Sequence, residues 1–196
     1  MRAELKTSCL SRFKPLLEIV SPGWLAGGAV RDFFSQQPTD SDIDVFFNDV
    51  EGFARAESTM NQADGVKKLY EHPAMVAYKW RGKVVQLIRQ HFFASPVETI
   101  AAFDFTVCCC AVDLNEVYVH EHFFDDLAGR RLAINKLPFP LSTLERLQKY
   151  VSKGFRACNG TLLELAKGIQ ATNLGDPSAN TLTFYPDGSP RFARFD

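Results

Sequence analysis

The spacing of apolar residues predicts a helix followed by two short buried strands at the start of the chain. Between residues 3 and 20, apolar side chains recur at steps of three and four, which is the period of a helix. They are Leu5, Cys9, Phe13, Leu16, Leu17 and Val20. Pro22-Gly23 ends this helix. The apolar runs at 24–26 and 42–47 are typical of buried strands, and AVRDFF between them predicts the first turns of a second helix.

The middle of the chain predicts further strands. They lie at 66–70, 75–80, 83–89, 103–113 and 117–120. Turn residues at Arg81-Gly82 and Leu114-Asn115 join two pairs of these strands as hairpins. A polar segment at 49–62 predicts the helix that precedes them. The order of elements therefore predicts an α/β (α+β) body with a mixed sheet and flanking helices.

Three Ser/Thr-x-x-Glu pairs predict helix starts by the capping-box pattern. They are Ser95-x-x-Glu98, Ser142-x-x-Glu145 and Thr161-x-x-Glu164. The last two predict successive helices over 142–156 and 161–170. We therefore expect a body over 1–137, a short helical neck over 138–172 and an irregular tail over 173–196.

Composition is that of a globular protein: 46% of residues are hydrophobic, with 17 phenylalanines to fill a core. Lys and Arg number 22 against 23 Asp and Glu, so net charge neither supports nor excludes RNA as a partner. The five cysteines, with Cys108-Cys109-Cys110 consecutive, indicate reduced core thiols rather than disulfides. No apolar run approaches the roughly 18 residues of a membrane span. We expect a soluble cytoplasmic protein, whose oligomeric state the sequence leaves open.

The candidate chemistry lies in two motifs close together in sequence, Gly27-Gly28 and Asp42-x-Asp44. Aspartates at i and i+2 on a strand project from one face, with Cα atoms about 6.5–7 Å apart. Two carboxylates suit Mg²⁺, which also takes waters and substrate phosphates, and paired ions catalyse in-line phosphoryl transfer. Glycines before a helix let backbone approach a triphosphate closely. One turn on, Arg31 is placed to contact phosphate or a carboxylate, and Asp32 to brace the loop or pair with Arg31.

Either motif alone is more often a turn or a strand edge, but their order forms a joint constraint that packing does not require. GGAVRDFF...TDSDIDVFF resembles the head-domain signature of the DNA polymerase β-type nucleotidyltransferases, and in particular class II CCA-adding enzymes and bacterial poly(A) polymerases. The resemblance implies a polymerase β-like head with a mixed sheet. It also implies Asp42 and Asp44 as catalytic ligands of Mg²⁺ or Mn²⁺, and triphosphate contacts from Gly27, Gly28, Arg31 and Asp32.

Further stretches agree with this resemblance, which covers about residues 23–156. AFDFTVCCCAVD aligns Asp104 with a family aspartate, and Arg89 matches a basic residue common in the family. The resemblance therefore implies nucleotide contacts from Asp104 and Arg89. LSTLERLQKYVSKGF lies where the family has its first neck helix. A departure lies at Gln86, where family members usually carry a third acidic residue. The cytosine- and adenine-reading template of the neck is also replaced.

Basic residues on the predicted neck helix recur at steps of three and four. The stripe comprises Arg146, Lys149, Lys153 and Arg156. It is interpreted either as a solvated helix face or as a contact with triphosphate or RNA backbone. His120-x-His122 lacks a third ligand, which favours structure over metal binding.

The leading hypothesis is a metal-dependent nucleotidyltransferase that transfers a nucleoside monophosphate from a nucleoside triphosphate to a hydroxyl. Its acceptor is RNA, such as a tRNA 3′ end, or else a protein or small molecule. The competing hypothesis is a catalytically weak nucleotide-binding or regulatory module, which Gln86 favours.

Overall fold

The computed structural model describes residues 3–36 and 41–172, and these form two compact units. Among these residues, the first unit combines 3–36 and 41–101 with Cys108–Phe123, and the second combines Ala102–Val107 with 124–172. The division into a head and a neck at residue 137 stays a prediction. The irregular tail predicted over 173–196 lies outside the described residues.

The first unit is built on a seven-stranded mixed sheet, which confirms the predicted fold class. Its strands are β1 Trp24–Ala26, β2 Ile43–Phe46, β3 Val66–His72, β4 Met75–Trp80, β5 Lys83–Ile88, β6 Cys110–Val112 and β7 Val117–Val119. Their spatial order is β3-β4-β5-β2-β1-β6-β7. The β2–β5 pair is parallel, and the other neighbours are antiparallel. The central strand β2 contains Asp44, and its neighbour β1 ends immediately before Gly27-Gly28.

The helices of the first unit cover the two faces of this sheet unequally. They are α1 Ala3–Val20, α2 Gly28–Ser35, α3 Val50–Gln62 and α4 Pro96–Ala101. The buried residues of α1 recur at the predicted spacing and pack with α3 on the face that receives Ile43 and Val45. On the other face, α4 packs against β1, β6 and β7, and Trp24 Nε1 donates to Thr99 Oγ1 at 3.0 Å.

The capping box at Ser95 is confirmed, whereas the other two are wrong. Glu98 N donates to Ser95 Oγ at 3.2 Å, and the Glu98 carboxylate accepts from Ala94 N at 3.0 Å. Ser142 instead lies buried inside a helix whose N-cap is Phe139, because Pro140 supplies a helix-compatible φ two residues earlier. Thr161 also lies within a helix, and its hydroxyl donates to Leu132 O rather than to a cap.

The second unit contains three helices and a small parallel sheet among its described residues. They are α5 Phe123–Ala128, β8 Arg131–Leu132, α6 Pro140–Ser152, β9 Arg156–Ala157 and α7 Asn159–Ala171, with β8 paired to β9. A 3₁₀ turn at Thr106–Cys108 replaces the first part of the strand predicted over 103–113.

The helix predicted over 142–156 ends four residues early. Gly154 has φ +84°, a left-handed conformation that glycine favours, and Phe155 N turns back to donate to Tyr150 O at 3.0 Å. Arg156 therefore belongs to β9, and the predicted basic stripe is wrong at that residue.

Four of the five cysteines are buried as predicted, including the consecutive three. Cys158 is exposed and caps α7. Burial raises the pKa of the Cys110 thiol well above its usual value, so this thiol stays protonated at neutral pH.

Of the described helices, none is both long and apolar enough to cross a membrane.

Candidate functional site

Asp42 and Asp44 lie on the less covered face of the central strand β2. Ile43 and Val45 alternate with them and are buried, so the carboxylates project to the opposite side. Asp42, immediately before the strand, is exposed, and Asp44 is half-buried. The predicted pair thus shares one face, where solvent and ligands have access to it.

Gly27 and Gly28 lie directly beside this pair. β1 ends at Ala26, which pairs with Asp44 across the antiparallel ladder, and the glycines follow at once. Gly27 has φ +81° and ψ −132°, a conformation that side chains rarely tolerate. A Cβ on Gly28 would lie 3.1 Å from Ser41 Oγ. Because α2 begins at Gly28, its first N–H groups point out of the helix at this edge of the sheet.

Arg31 and Asp32 form a buried network behind the loop. Arg31 is 3% exposed and Asp32 is 6% exposed. Arg31 Nε donates to Asp32 Oδ1 at 2.9 Å, and Ser41 Oγ donates to Asp32 Oδ2 at 2.7 Å. Asp32 therefore both pairs with Arg31 and ties helix α2 to the residue before Asp42. Direct nucleotide contacts by Arg31 and Asp32 stay a prediction.

Gln86 stands next to the aspartates. It pairs with Asp44 between the parallel strands β5 and β2, and its Nε2 donates to Asp42 Oδ2 at 2.8 Å. The residue expected to be acidic is thus adjacent to both carboxylates in space. An amide contributes no negative charge, and its N–H group occupies a lone pair of Asp42 that a metal would otherwise use.

Tyr70 belongs to the same neighbourhood, although sequence reasoning missed it. Tyr70 pairs with Ala77, Ala77 with Gln86, and Gln86 with Asp44, so the four share one row and one face. Partial burial raises the pKa of Tyr70, and the negative charges of Asp42 and Asp44 raise it further. Nothing in the sequence near Tyr70 signals this position, because it depends on the order of four strands.

The donor set fits a metal ion that arrives with its substrate. Across residues 3–36 and 41–172, no three His, Cys, Asp or Glu side chains are grouped to hold a metal. Two carboxylates on one face nevertheless satisfy the usual protein share of a Mg²⁺ site, with waters and phosphates completing the octahedron. His120 and His122 lie with ring centroids 5.6 Å apart, and no described side chain completes a metal site there.

Arg89 is hydrogen-bonded to residues at the turn between β3 and β4. Its guanidinium donates to Glu71 Oε1 at 2.9 Å, to His72 O at 2.8 Å and to Pro73 O at 3.1 Å. These bonds brace the turn, and the guanidinium also lies over the Phe53 ring of α3. Its role toward a nucleotide stays a prediction.

The remaining predicted contacts belong to the second unit. Arg146 Nε donates to Asp104 Oδ2 at 2.6 Å, which joins the two residues in an ion pair. Asp104 is buried and Arg146 is half-exposed. Lys149 is exposed on α6, and Lys153 caps that helix. Their contact with a nucleotide likewise stays a prediction.

Solved structures of CCA-adding enzymes share this fold. The Thermotoga maritima CCA-adding enzyme complexed with tRNA_CCA matches with a TM-score of 0.63 at 17% identity, covering 84% of this chain and 45% of that chain. A CCA-adding enzyme with CTP matches at 0.64 and 17%, covering 86% and 47%. One with ATP matches at 0.63 and 20%, covering 86% and 43%. The chain thus spans less than half of each solved chain.

The identities are low enough that this likeness concerns the fold. The seven-stranded mixed sheet with its flanking helices is similar to the nucleotidyltransferase head of these enzymes. The sequence resemblance is therefore confirmed for the nucleotidyltransferase-like fold, and the narrower kinship with tRNA-processing or poly(A)-adding enzymes is not.

Sequence comparison points to a different group of relatives. The model of a family described as "Gad2: Gabija anti-defense 2 family protein" matches residues 5–130. A curated relative, Gabija anti-defense 2 of Bacillus phage SPbetaL7, is 32% identical over 135 residues, or 67% of this chain and 33% of the relative. The chain thus spans about a third of the length of that relative.

Proposed function

We propose that this chain, which belongs to the Gabija anti-defense 2 family, is a metal-dependent nucleotidyltransferase. It transfers a nucleoside monophosphate from a nucleoside triphosphate to a hydroxyl. The observation that carries the proposal is the register of β1 against β2, which sets Gly27-Gly28 beside Asp44. A loop suited to phosphates and a carboxylate pair suited to metal thus lie together at the same end of strands β1 and β2. Fold neighbours solved with CTP and with ATP support a nucleotide as substrate.

Each part of the site has a role in this proposal. Asp42 and Asp44 would hold Mg²⁺ or Mn²⁺, which would supply positive charge to stabilise the reacting phosphate. The backbone of Gly27-Gly28 and the start of α2 receive the triphosphate. The acceptor oxygen attacks the α-phosphorus in line, and the bond to the β-phosphate oxygen breaks. Pyrophosphate leaves with that electron pair, and the proton of the acceptor hydroxyl passes to solvent.

Support for a particular acceptor comes from the relatives rather than from the geometry. The family name describes proteins that act against Gabija, which favours a component of that defence as the molecule to be modified. A neighbour complexed with tRNA supports RNA as the other acceptor class. Both are tested together below.

A second candidate function is nucleotide binding without transfer. The hydrogen bond from Gln86 to Asp42 favours it, because an amide stands where a third carboxylate would strengthen the metal site. Such a protein would act against Gabija by sequestering a nucleotide or by occupying a partner.

The test is a transfer assay with matched variants. The purified chain is incubated with each α-³²P-labelled triphosphate, Mg²⁺ and either total RNA or lysate from cells that carry Gabija. We expect label in one acceptor class. We also expect the label to disappear in Asp42→Asn/Asp44→Asn and on addition of EDTA.

The matched control is Asp49→Asn, which removes a carboxylate from the N-cap of α3 rather than from the site. It should retain transfer. No label with any triphosphate, together with Mg²⁺-dependent triphosphate binding by calorimetry that Asp42→Asn/Asp44→Asn removes, would favour the second candidate. Neither label nor binding would refute both.

A further inference from the structure

A cavity of about 380 Å³ lies in the first unit on the face of the sheet opposite the aspartates. Ile43, which alternates with Asp42 and Asp44, lines it from β2. Helix α2 lines it with Ala29 and Asp32. Ligand pockets in proteins span about 300–1,000 Å³, so the volume suits one small molecule.

Among the described residues that line the cavity, cationic groups outnumber carboxylates. The cationic groups are Arg12 of α1, Arg81 of the β4–β5 turn and Lys83 of β5. The carboxylate among its described lining residues, Asp32, already accepts from Arg31 and Ser41, so its charge is compensated from behind. The cavity therefore favours an anion, and guanidinium groups recognise phosphate oxygens with particular strength.

Its apolar walls are aromatic. Phe13 and Phe33 meet edge to face with ring centroids 5.9 Å apart, and Trp80 lines the same cavity. The Arg81 guanidinium lies 4.7 Å from the Trp80 ring centroid. A planar ring with an attached phosphate would bury its ring against these walls and leave its charge at the arginine and lysine.

Arg81 occupies a backbone conformation that its side chain does not favour. It has φ +46° and the following Gly82 has φ +79°, so both central residues of the hairpin are left-handed. Such turns favour asparagine followed by glycine. The left-handed backbone of Arg81 is energetically unfavourable for a residue with a long side chain. Such strained positions often belong to binding sites, and the Arg81 side chain lines the cavity.

We propose that this cavity is a nucleotide-binding site separate from the one at Asp42 and Asp44. Arg81 and Lys83 bind the phosphate, and the aromatic walls bind the base. The ligand is either a free mononucleotide or the terminal nucleotide of a single strand, since both present the same ring and phosphate. The site does not depend on nucleotidyl transfer, because it lies on the other face of the sheet and requires no metal.

The test is titration calorimetry of the full chain with AMP, adenosine, inorganic phosphate and a short 5′-phosphorylated single-stranded RNA, all in EDTA. We expect AMP or the RNA to bind more tightly than adenosine or phosphate. Arg81→Asn should weaken that binding about tenfold while leaving the melting temperature unchanged or higher, since asparagine suits the turn. Lys83→Gln should weaken it as well.

Two variants serve as controls. Lys79→Gln removes an equal charge from an exposed neighbour on β4 that points to the other face, and should bind as the parent does. Asp42→Asn/Asp44→Asn should also bind normally, which separates this site from the proposed transfer site. Binding of AMP or of the RNA that responds to the variants in this way supports the site. The ligand that binds more tightly shows whether a free mononucleotide or a strand end is the source. No binding, or equal binding by Arg81→Asn, Lys83→Gln and the parent, overturns it.

Discussion

On one side of strand β2, Asp42 and Asp44 reach accessible surface, whereas on the other side Ile43 and Val45 are buried beneath helices. Burial alternates from Asp42 to Val45, so neighbours in sequence face different surroundings there. The side with the aspartates exposes them at the start of the strand and contributes the buried Phe46 to the core farther along. The other side carries stability and, at its end, opens into the basic and aromatic cavity. Asp42 and Asp44 therefore differ from Ile43 and Val45 in surroundings at single-residue spacing.

The largest expected effect comes from the accessible side. Asp42→Asn/Asp44→Asn should lower the rate of nucleotidyl transfer by at least about 10³-fold, or about 4 kcal/mol, because neutral amides bind Mg²⁺ far more weakly than carboxylates do. The melting temperature should change little, since Asp42 is exposed and asparagine keeps the size of the half-buried Asp44 side chain. Labelled-triphosphate transfer and thermal denaturation measure both, and a variant that retains the parent rate would contradict the assignment.

Arg31 tests whether the network behind the loop is structural. Arg31→Met should lower the free energy of unfolding by about 3 kcal/mol, because it leaves the buried Asp32 carboxylate without its cation. Urea denaturation measures the loss. Arg31→Met/Asp32→Leu should recover part of it, since both charges are then removed. If the single variant loses triphosphate affinity at full stability, Arg31 is a phosphate ligand instead.

Val45→Ala is the counterpart of the aspartate substitutions one residue away. It should lower the free energy of unfolding by about 2 kcal/mol, because Val45 is fully buried and the change leaves a cavity. The transfer rate per folded molecule should stay at the parent value. A lower rate at full folding would mean that the two faces of β2 are not separable.

The smallest effect is expected at Gln86. Gln86→Glu adds a carboxylate beside Asp44 and removes the hydrogen bond to Asp42, so half-maximal transfer should need about tenfold less Mg²⁺, about 1.4 kcal/mol. Gln86→Ala, which removes the bond without adding charge, is the control and should shift the Mg²⁺ requirement less. Identical Mg²⁺ curves for the glutamate variant and the parent would show that this position lies outside the metal site.

Local sequence signals predicted much of the first unit. The alternation in DIDVFF correctly assigned Asp42 and Asp44 to one face, and the spacing in residues 3–20 identified the buried stripe of α1. Ser95-x-x-Glu98 gave a correct helix start because both capping bonds form within five residues. These features depend on neighbours along the chain, which the sequence displays directly.

Errors arose where a distant partner or a backbone turn competed with a local pattern. Thr161 satisfies the capping pattern, but its hydroxyl donates to Leu132 O, 29 residues away. Arg156 satisfies the helical spacing, but Gly154 ends the helix before it, and Arg156 pairs with Arg131 of β8 in a small sheet. Local propensity is worth only fractions of a kcal/mol per residue, so tertiary contacts override it.

The sequence by itself determined that a glycine loop precedes a helix and that two aspartates share a face of the next strand. Both follow from backbone geometry and the period of a strand. Only the tertiary structure decided that Ala26 and Gln86 flank Asp44, that Tyr70 joins the same row, and that Arg31 turns inward to Asp32. Strand order and burial depend on contacts between segments that are distant in sequence. The free energy of such a contact depends on both partners, so neither residue alone reveals it.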